Sequence, residues 1–149
     1  MINHTHPLSS PALTSGPTTG RALRASLWVT QAILALAFGF SGAAKAFLPL
    51  DRVAGMIPWS PDVAPALLRF IGVTELLAAV GLVLPSLLRV RPRLTPLAAL
   101  GLVVVMTLAS GFHALRHEPA GIVATVVLGG LAAFVAWGRF RAAPIGGRS

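Results

Sequence analysis

Four apolar stretches, about Leu27–Leu48, Ala66–Leu88, Leu94–Leu115 and Ala120–Gly138, decide what this chain can fold into. Each holds about 19–23 residues, which at a helical rise of about 1.5 Å per residue spans a hydrocarbon core of roughly 30 Å. Within lipid every backbone N–H and C=O needs a partner inside the protein, and a helix supplies one for each. The expected fold is all-α, an integral membrane four-helix bundle. Charged residues make up only 11% of the 149 residues and hydrophobic ones 55%, against about 25% charged in a soluble domain. Such a chain cannot cover its surface with polar groups, so lipid has to be part of its solvent.

The expected organisation is a tail over 1–24, a transmembrane domain over 25–141 and a second tail over 142–149. Residues 1–20 are rich in Pro, Ser, Thr and Gly and are expected to be disordered, since they bury too little apolar surface to offset ordering entropy. His4 and His6 lie there and read as solvated residues. Arg21 and Arg24 before the first apolar run, and Ala44-Lys45-Ala46 near its end, raise a cleaved signal peptide. The run continues through Phe47 and Leu48, however, beyond the roughly 7–15 residues of a signal core, and a spanning helix is the better reading. Short links at Arg89–Arg93 and Arg116–Pro119 require tight antiparallel hairpins, with Pro119 suited to a first helical turn. The longest connection, 49–64, carries the lone Trp59.

The net charge of +8 would point to nucleic acid if it were spread over a soluble surface. With four crossings, Arg21, Arg24, Arg89, Arg91, Arg93, Arg139, Arg141 and Arg148 all fall on one side, with no Asp or Glu among them. On the other side Lys45, Arg52, Arg69 and Arg116 balance Asp51, Asp62, Glu75 and Glu118. The whole excess is thus a positive-inside signal. It predicts both termini in the cytoplasm (N-in/C-in) of a cell inner, plasma-type membrane, with the arginines facing anionic lipid heads and no nucleic-acid partner. The chain has no cysteine, which excludes thiol exchange, cysteine nucleophiles and thiolate-held metal or iron–sulfur centres.

Ionisable groups inside a membrane are costly and mark sites by default. Lys45, Arg69, Glu75 and His113 form the candidate polar intramembrane site, all toward the non-cytoplasmic face. Side chains lean toward the N-terminus of their own helix. Lys45 and His113, on outward-running helices, therefore lean into the membrane, and Glu75, on an inward-running one, leans out to meet them. Arg69, Gly72, Glu75 and Ala79 share a helix face. Two readings stand at this point: an ion pair of Glu75 with Lys45 or Arg69 that fixes helix register, or a small polar site for a quinone head or a transferable proton. His113 and His117 at i, i+4 could chelate a metal, with only Glu118 near, and interface and capping roles suit them better. No metal or resident cofactor is evident from the residues.

Phe38-Gly-Phe-Ser-Gly42-Ala-Ala-Lys45, Arg69-Phe-Ile-Gly72-Val-Thr-Glu75 with Gly81-Leu-Val-Leu-Pro85, Leu94-Thr-Pro-Leu-Ala-Ala-Leu-Gly101 leading to His113 and Glu118, and Phe134-Val-Ala-Trp137-Gly-Arg139 resemble the DoxX-like family of small four-helix membrane proteins. The likeness covers about residues 27–141. The family takes its name from a subunit of a thiosulfate–quinone oxidoreductase, and relatives are associated with membrane redox complexes. The resemblance singles out Lys45, Glu75 and His113. It implies a quinone-proximal or anchoring subunit, with a separate dehydrogenase or redox subunit as partner and an oligomer as one arrangement. The alternatives are a non-enzymatic membrane scaffold whose polar layer fixes packing, and a small solute or proton conduit.

Overall fold

The computed structural model describes residues 17–146, with side chains from residue 20 onward. Helix α1 spans Pro17–Phe47, α2 Leu50–Met56, α3 Pro65–Leu88, α4 Leu94–Leu115 and α5 Pro119–Trp137; among the described residues there is no strand. A 3-10 turn, Ser60–Asp62, precedes α3, and a π-helical turn, Gly138–Ala142, continues α5. Helices α1, α3, α4 and α5 are each long and apolar enough to cross a membrane. Pro65 and Pro119 occupy first turns, where a missing N–H costs no hydrogen bond.

Two expectations are corrected. Residues 17–24, expected to be disordered tail, are the first turns of the 31-residue helix α1. Beyond Gly20 this stretch consists of Arg, Ala and Leu, which hold helical conformation well, so the helix runs on past its apolar part. The remainder of the expected tail, with His4 and His6, lies outside the described residues. The 49–64 connection is also more than a link, because α2 and the 3-10 turn pack into the bundle through buried Val53 and Ser60. Arg148, at the other end, likewise lies outside the described residues.

Packing follows the chain around a ring. Helix α1 lies mainly against α3 and α4 mainly against α5, while α3–α4 and α1–α5 contacts close the bundle. Leu34, Phe38, Leu82, Leu102, Met106 and Val135 supply the largest side chains of its core. Gly138 packs on Leu27, which places the start of α1 and the end of α5 at one end, here called the terminal face. The 49–64 connection and the α4–α5 link lie at the opposite face.

Helix association in lipid depends on close approach of small residues. The tightest approach of one helix backbone to another is Gly42 against Gly72. A Cβ on Gly42 would stand 2.8 Å from the carbonyl oxygen of Gly72, and one on Gly72 would stand 2.7 Å from the backbone nitrogen of Ala46. The sequence spacing of Ala35, Gly39 and Ala43 points to a neighbouring stripe. A Cβ at Gly39 would make only an ordinary contact, 3.8 Å from Ala79. Gly42 and Gly72 thus bring α1 and α3 together beside Lys45 and Glu75.

Candidate functional site

On α3 the residues Leu68, Gly72, Glu75, Ala79, Leu82 and Ser86 are buried, a period of three to four that turns one face inward. Glu75 is the only ionisable residue among these six. Opposite it, Lys45 stands in the last turn of α1 and leans back along the helix. Its Nζ donates to Glu75 Oε1 at 2.6 Å and to Ser41 Oγ, one turn earlier, at 2.8 Å. Both charged residues retain 4% exposure. Two ions withdrawn from water need excellent geometry and additional hydrogen bonds to break even. Lys45 has them, whereas Glu75 Oε2 is buried with no hydrogen-bond partner among the described residues. A buried carboxylate oxygen left unpaired is costly, and Glu75 is also one of the residues lining a cavity between the helices.

The cavity has a volume of about 640 Å³, in the size range of small-molecule sites. Its polar end is formed by Lys45, Glu75 and Thr74, with Trp59 and His113 beside them. Its walls are apolar, with Phe38 and Met106 from the core. Leu67 and Phe70 of α3 and Leu108 of α4 also line it while remaining 48%, 64% and 71% exposed. Exposed apolar side chains of α3 and α4 thus border the cavity, the side a bilayer would cover if these helices span it. An occupant could enter from the bilayer with an apolar body and present a polar end to Lys45 and Glu75.

The four residues singled out from sequence take three different places. Lys45 and Glu75 meet as an ion pair. Arg69 does not join them: its Nη1 donates to the Lys45 carbonyl at 2.6 Å and its Nη2 to the Leu48 carbonyl at 2.7 Å. A cation on the orphan carbonyls of a helix C-terminus satisfies them and complements the helix dipole. Arg69 thereby holds the end of α1 that carries Lys45. His113 lines the cavity from α4, with its Nδ1 hydrogen-bonded to Glu118 Oε2 at 2.6 Å. Arg116 bridges Glu118 Oε1 at 2.8 Å and Asp62 Oδ2 at 2.7 Å, tying the α4–α5 link to the connection that carries Trp59. The hydrogen bond from His113, then that from Arg116, lowers the Glu118 pKa below its ordinary value; the bond to Glu118 is the largest cause raising that of Arg116. Gly121 lies so close under the His113 ring that a Cβ there would collide with it. His117 is exposed, with φ 55° beyond the end of α4, so the helical i, i+4 spacing from His113 does not persist.

The sequence reading noted Trp59 in the long connection without placing it in the site. Its ring carries Lys45 Nζ at 5.6 Å from the centroid and packs edge-on to Phe112 and His113 at 5.6 and 6.3 Å. The signal was its isolation as the single aromatic residue in a proline-rich connection.

A second polar cluster, near the terminal face, was also missed. Gln31 on α1 is fully buried; its Nε2 donates to the Leu82 carbonyl and to Ser86 Oγ. Ser86 Oγ is 2.7 Å from Thr95 Oγ1 on α4. Gln31 Oε1 accepts from Arg139 Nε at 2.6 Å. An uncharged amide within an apolar helix was the available signal for Gln31. Arg139 was counted only as a topology charge.

A family model described as the DoxX-like family matches residues 29–135. No curated protein and no solved structure matches the chain.

Proposed function

The chain belongs to the DoxX-like family, and from that premise we propose that this multi-pass membrane protein binds a quinone-type headgroup at the Lys45–Glu75 pair. It would act as a quinone-proximal or anchoring subunit of a membrane redox complex. The observation carrying the reading is a buried ion pair with one unpartnered carboxylate oxygen, at the end of an apolar cavity bordered by exposed apolar side chains of α3 and α4. A quinone needs these three things together: a lateral route for its tail, a donor for a carbonyl oxygen and a group that can exchange protons. Lys45 supplies the donor and Glu75 the exchangeable carboxyl. Thr74 and the Trp59 ring bound the headgroup. His113 and Glu118 lie between the cavity and the opposite face, where a proton would enter or leave. A quinone supplies two-electron, two-proton chemistry when bound. The electrons would come from a separate dehydrogenase, since no residue type here carries them. The positive-inside distribution favours a plasma-type inner membrane with cytoplasmic termini, and reporter fusions at Arg91 and Glu118 should then report opposite sides.

The scaffold reading rests on the same pair, because Gly42 against Gly72 fixes α1 on α3 beside it. Titration of the purified chain in mild detergent with a short-tailed quinone, read by tryptophan quenching, separates the two. Saturable binding weakened about tenfold or more by Lys45→Ala in a folded chain, about 1.4 kcal/mol or more, supports the site. Quenching that does not saturate, or that Lys45→Ala leaves unchanged, defeats it in favour of the scaffold.

A further inference from the structure

The terminal half of the bundle holds a buried cation with no counter-charge among the described residues. Arg139 is 6% exposed and its Nη2 is buried with no hydrogen-bond partner among the described residues. Its Nε is committed to Gln31 Oε1. Gln31 cannot rotate away, because both its amide donor contacts, to Leu82 and Ser86, are made on the other side. That amide orients the guanidinium without neutralising it. The Trp28 ring, 5.2 Å from Arg139 Cζ, adds cation–π attraction, which offsets only part of the cost of burying an ion. The chain's four acidic residues, Asp51, Asp62, Glu75 and Glu118, all belong to the opposite half.

A second cation makes the deficit larger. Arg24, Trp28 and Gln31 follow one another at helical spacing on α1, which places Arg24 one turn beyond the Trp28 ring that Arg139 lies over. Arg24 is exposed. One exposed and one buried guanidinium therefore converge where no acidic side chain lies. Arg139 is the second residue of the π-helical turn Gly138–Ala142, which continues α5. Such turns often occur at functional sites.

We propose that α1 and the π-helical turn form a phosphate-binding site at the terminal face, with Arg139 as the oriented fork and Arg24 as the outer clamp. Planar guanidinium groups match phosphate oxygens in pairs, and an anionic phospholipid head presents such a phosphate at the depth of a helix end. The site is independent of the cavity at the opposite face. Free phosphate offers the same chemistry without the lipid tail.

The test uses the full chain, tagged at its C-terminus so that its own terminal carboxylate is held away, in detergent micelles. The probes are phosphatidylglycerol, phosphatidylcholine, and inorganic phosphate against chloride at matched ionic strength. Lipid retention is read by native mass spectrometry. The expected result is a preference for phosphatidylglycerol of about tenfold, lost in Arg139→Gln and kept in Arg91→Gln, which removes an exposed charge near the same face. Competition by inorganic phosphate identifies the free anion as a second source, and no competition identifies the lipid head alone; either supports the phosphate site. Equal loss in Arg139→Gln and Arg91→Gln overturns the proposal, since general surface charge then accounts for the binding. If Arg139→Gln does not fold, Arg24→Gln takes its place with a partial loss expected. Absence of any lipid preference in the unsubstituted chain overturns the proposal without any variant.

Discussion

Removing Lys45 and Glu75 singly and together separates their packing role from their binding role. In Lys45→Met, Glu75 loses the donor at 2.6 Å, and both of its oxygens become unpaired because Oε2 already is. In Glu75→Leu, Lys45 keeps only the Ser41 hydroxyl at 2.8 Å. Breaking a buried pair from one side costs about 3–5 kcal/mol. The double variant Lys45→Met with Glu75→Leu strands nothing and restores apolar contact between α1 and α3, so it should fall within about 1 kcal/mol of the original. Single losses of about 3–5 kcal/mol each against a double loss within about 1 kcal/mol give a coupling of about 5 kcal/mol or more, well beyond the deviation expected of independent sites. The assay is reversible unfolding in mixed micelles, followed by tryptophan fluorescence. Additive losses in the double variant would refute the reasoning, because the two side chains would then not act as a pair. The double variant should also fail to bind quinone although folded, an outcome a pure packing role does not produce.

The same structure sets three further expectations. Gly72→Ala should cost about 1–3 kcal/mol, because its Cβ meets the backbone of α1 at 2.7 Å; Gly101→Ala, with nothing within 4 Å, should be neutral or stabilising by up to about 1 kcal/mol, and equal effects in one unfolding assay would contradict the packing. Arg69→Met should speed amide hydrogen exchange in the last turn of α1 and cost about 2–3 kcal/mol through two lost charge-assisted bonds, while unchanged exchange would show that the two carbonyls are satisfied otherwise. Because the Glu118 pKa is depressed in the fold, its stabilising effect is present above the unfolded carboxylate pKa and is lost as pH falls through the lower folded value; the stability difference between the original and Glu118→Gln should therefore shrink below about pH 4.5, and a pH-independent difference would count against the tie.

Much of the fold was legible because a membrane leaves few options. Apolar runs of spanning length become helices, and the positions of Pro65 and Pro119 at first turns follow from their missing N–H. Helix direction was enough to bring Lys45 and Glu75 to one layer, since side chains lean predictably toward the N-terminus. What was not legible depended on contacts made at a distance. Arg69 shares the buried face by spacing, yet its long side chain reaches two carbonyls of α1 that no one-dimensional pattern identifies. Trp59 lies in an irregular segment, where no periodicity says what a side chain will touch. Gln31 and Arg139 are separated by most of the chain, and their meeting depends on the closure of α5 against α1. The helical start of α1 was missed because composition alone marks a tail, whereas a helix once nucleated extends cheaply through Arg, Ala and Leu.

A quinone-type head seated at Lys45 and Glu75 in the cavity between α3 and α4 can be located with a photoreactive quinone analogue, activated with the protein in lipid and mapped by peptide mass spectrometry. Labelling is expected to concentrate on Leu67, Phe70, Leu108 and Phe112, to be suppressed by excess unlabelled quinone and to be absent in the Lys45→Met, Glu75→Leu double variant. Labelling spread evenly over lipid-facing residues such as Leu36 and Val126, and indifferent to competitor, would contradict it.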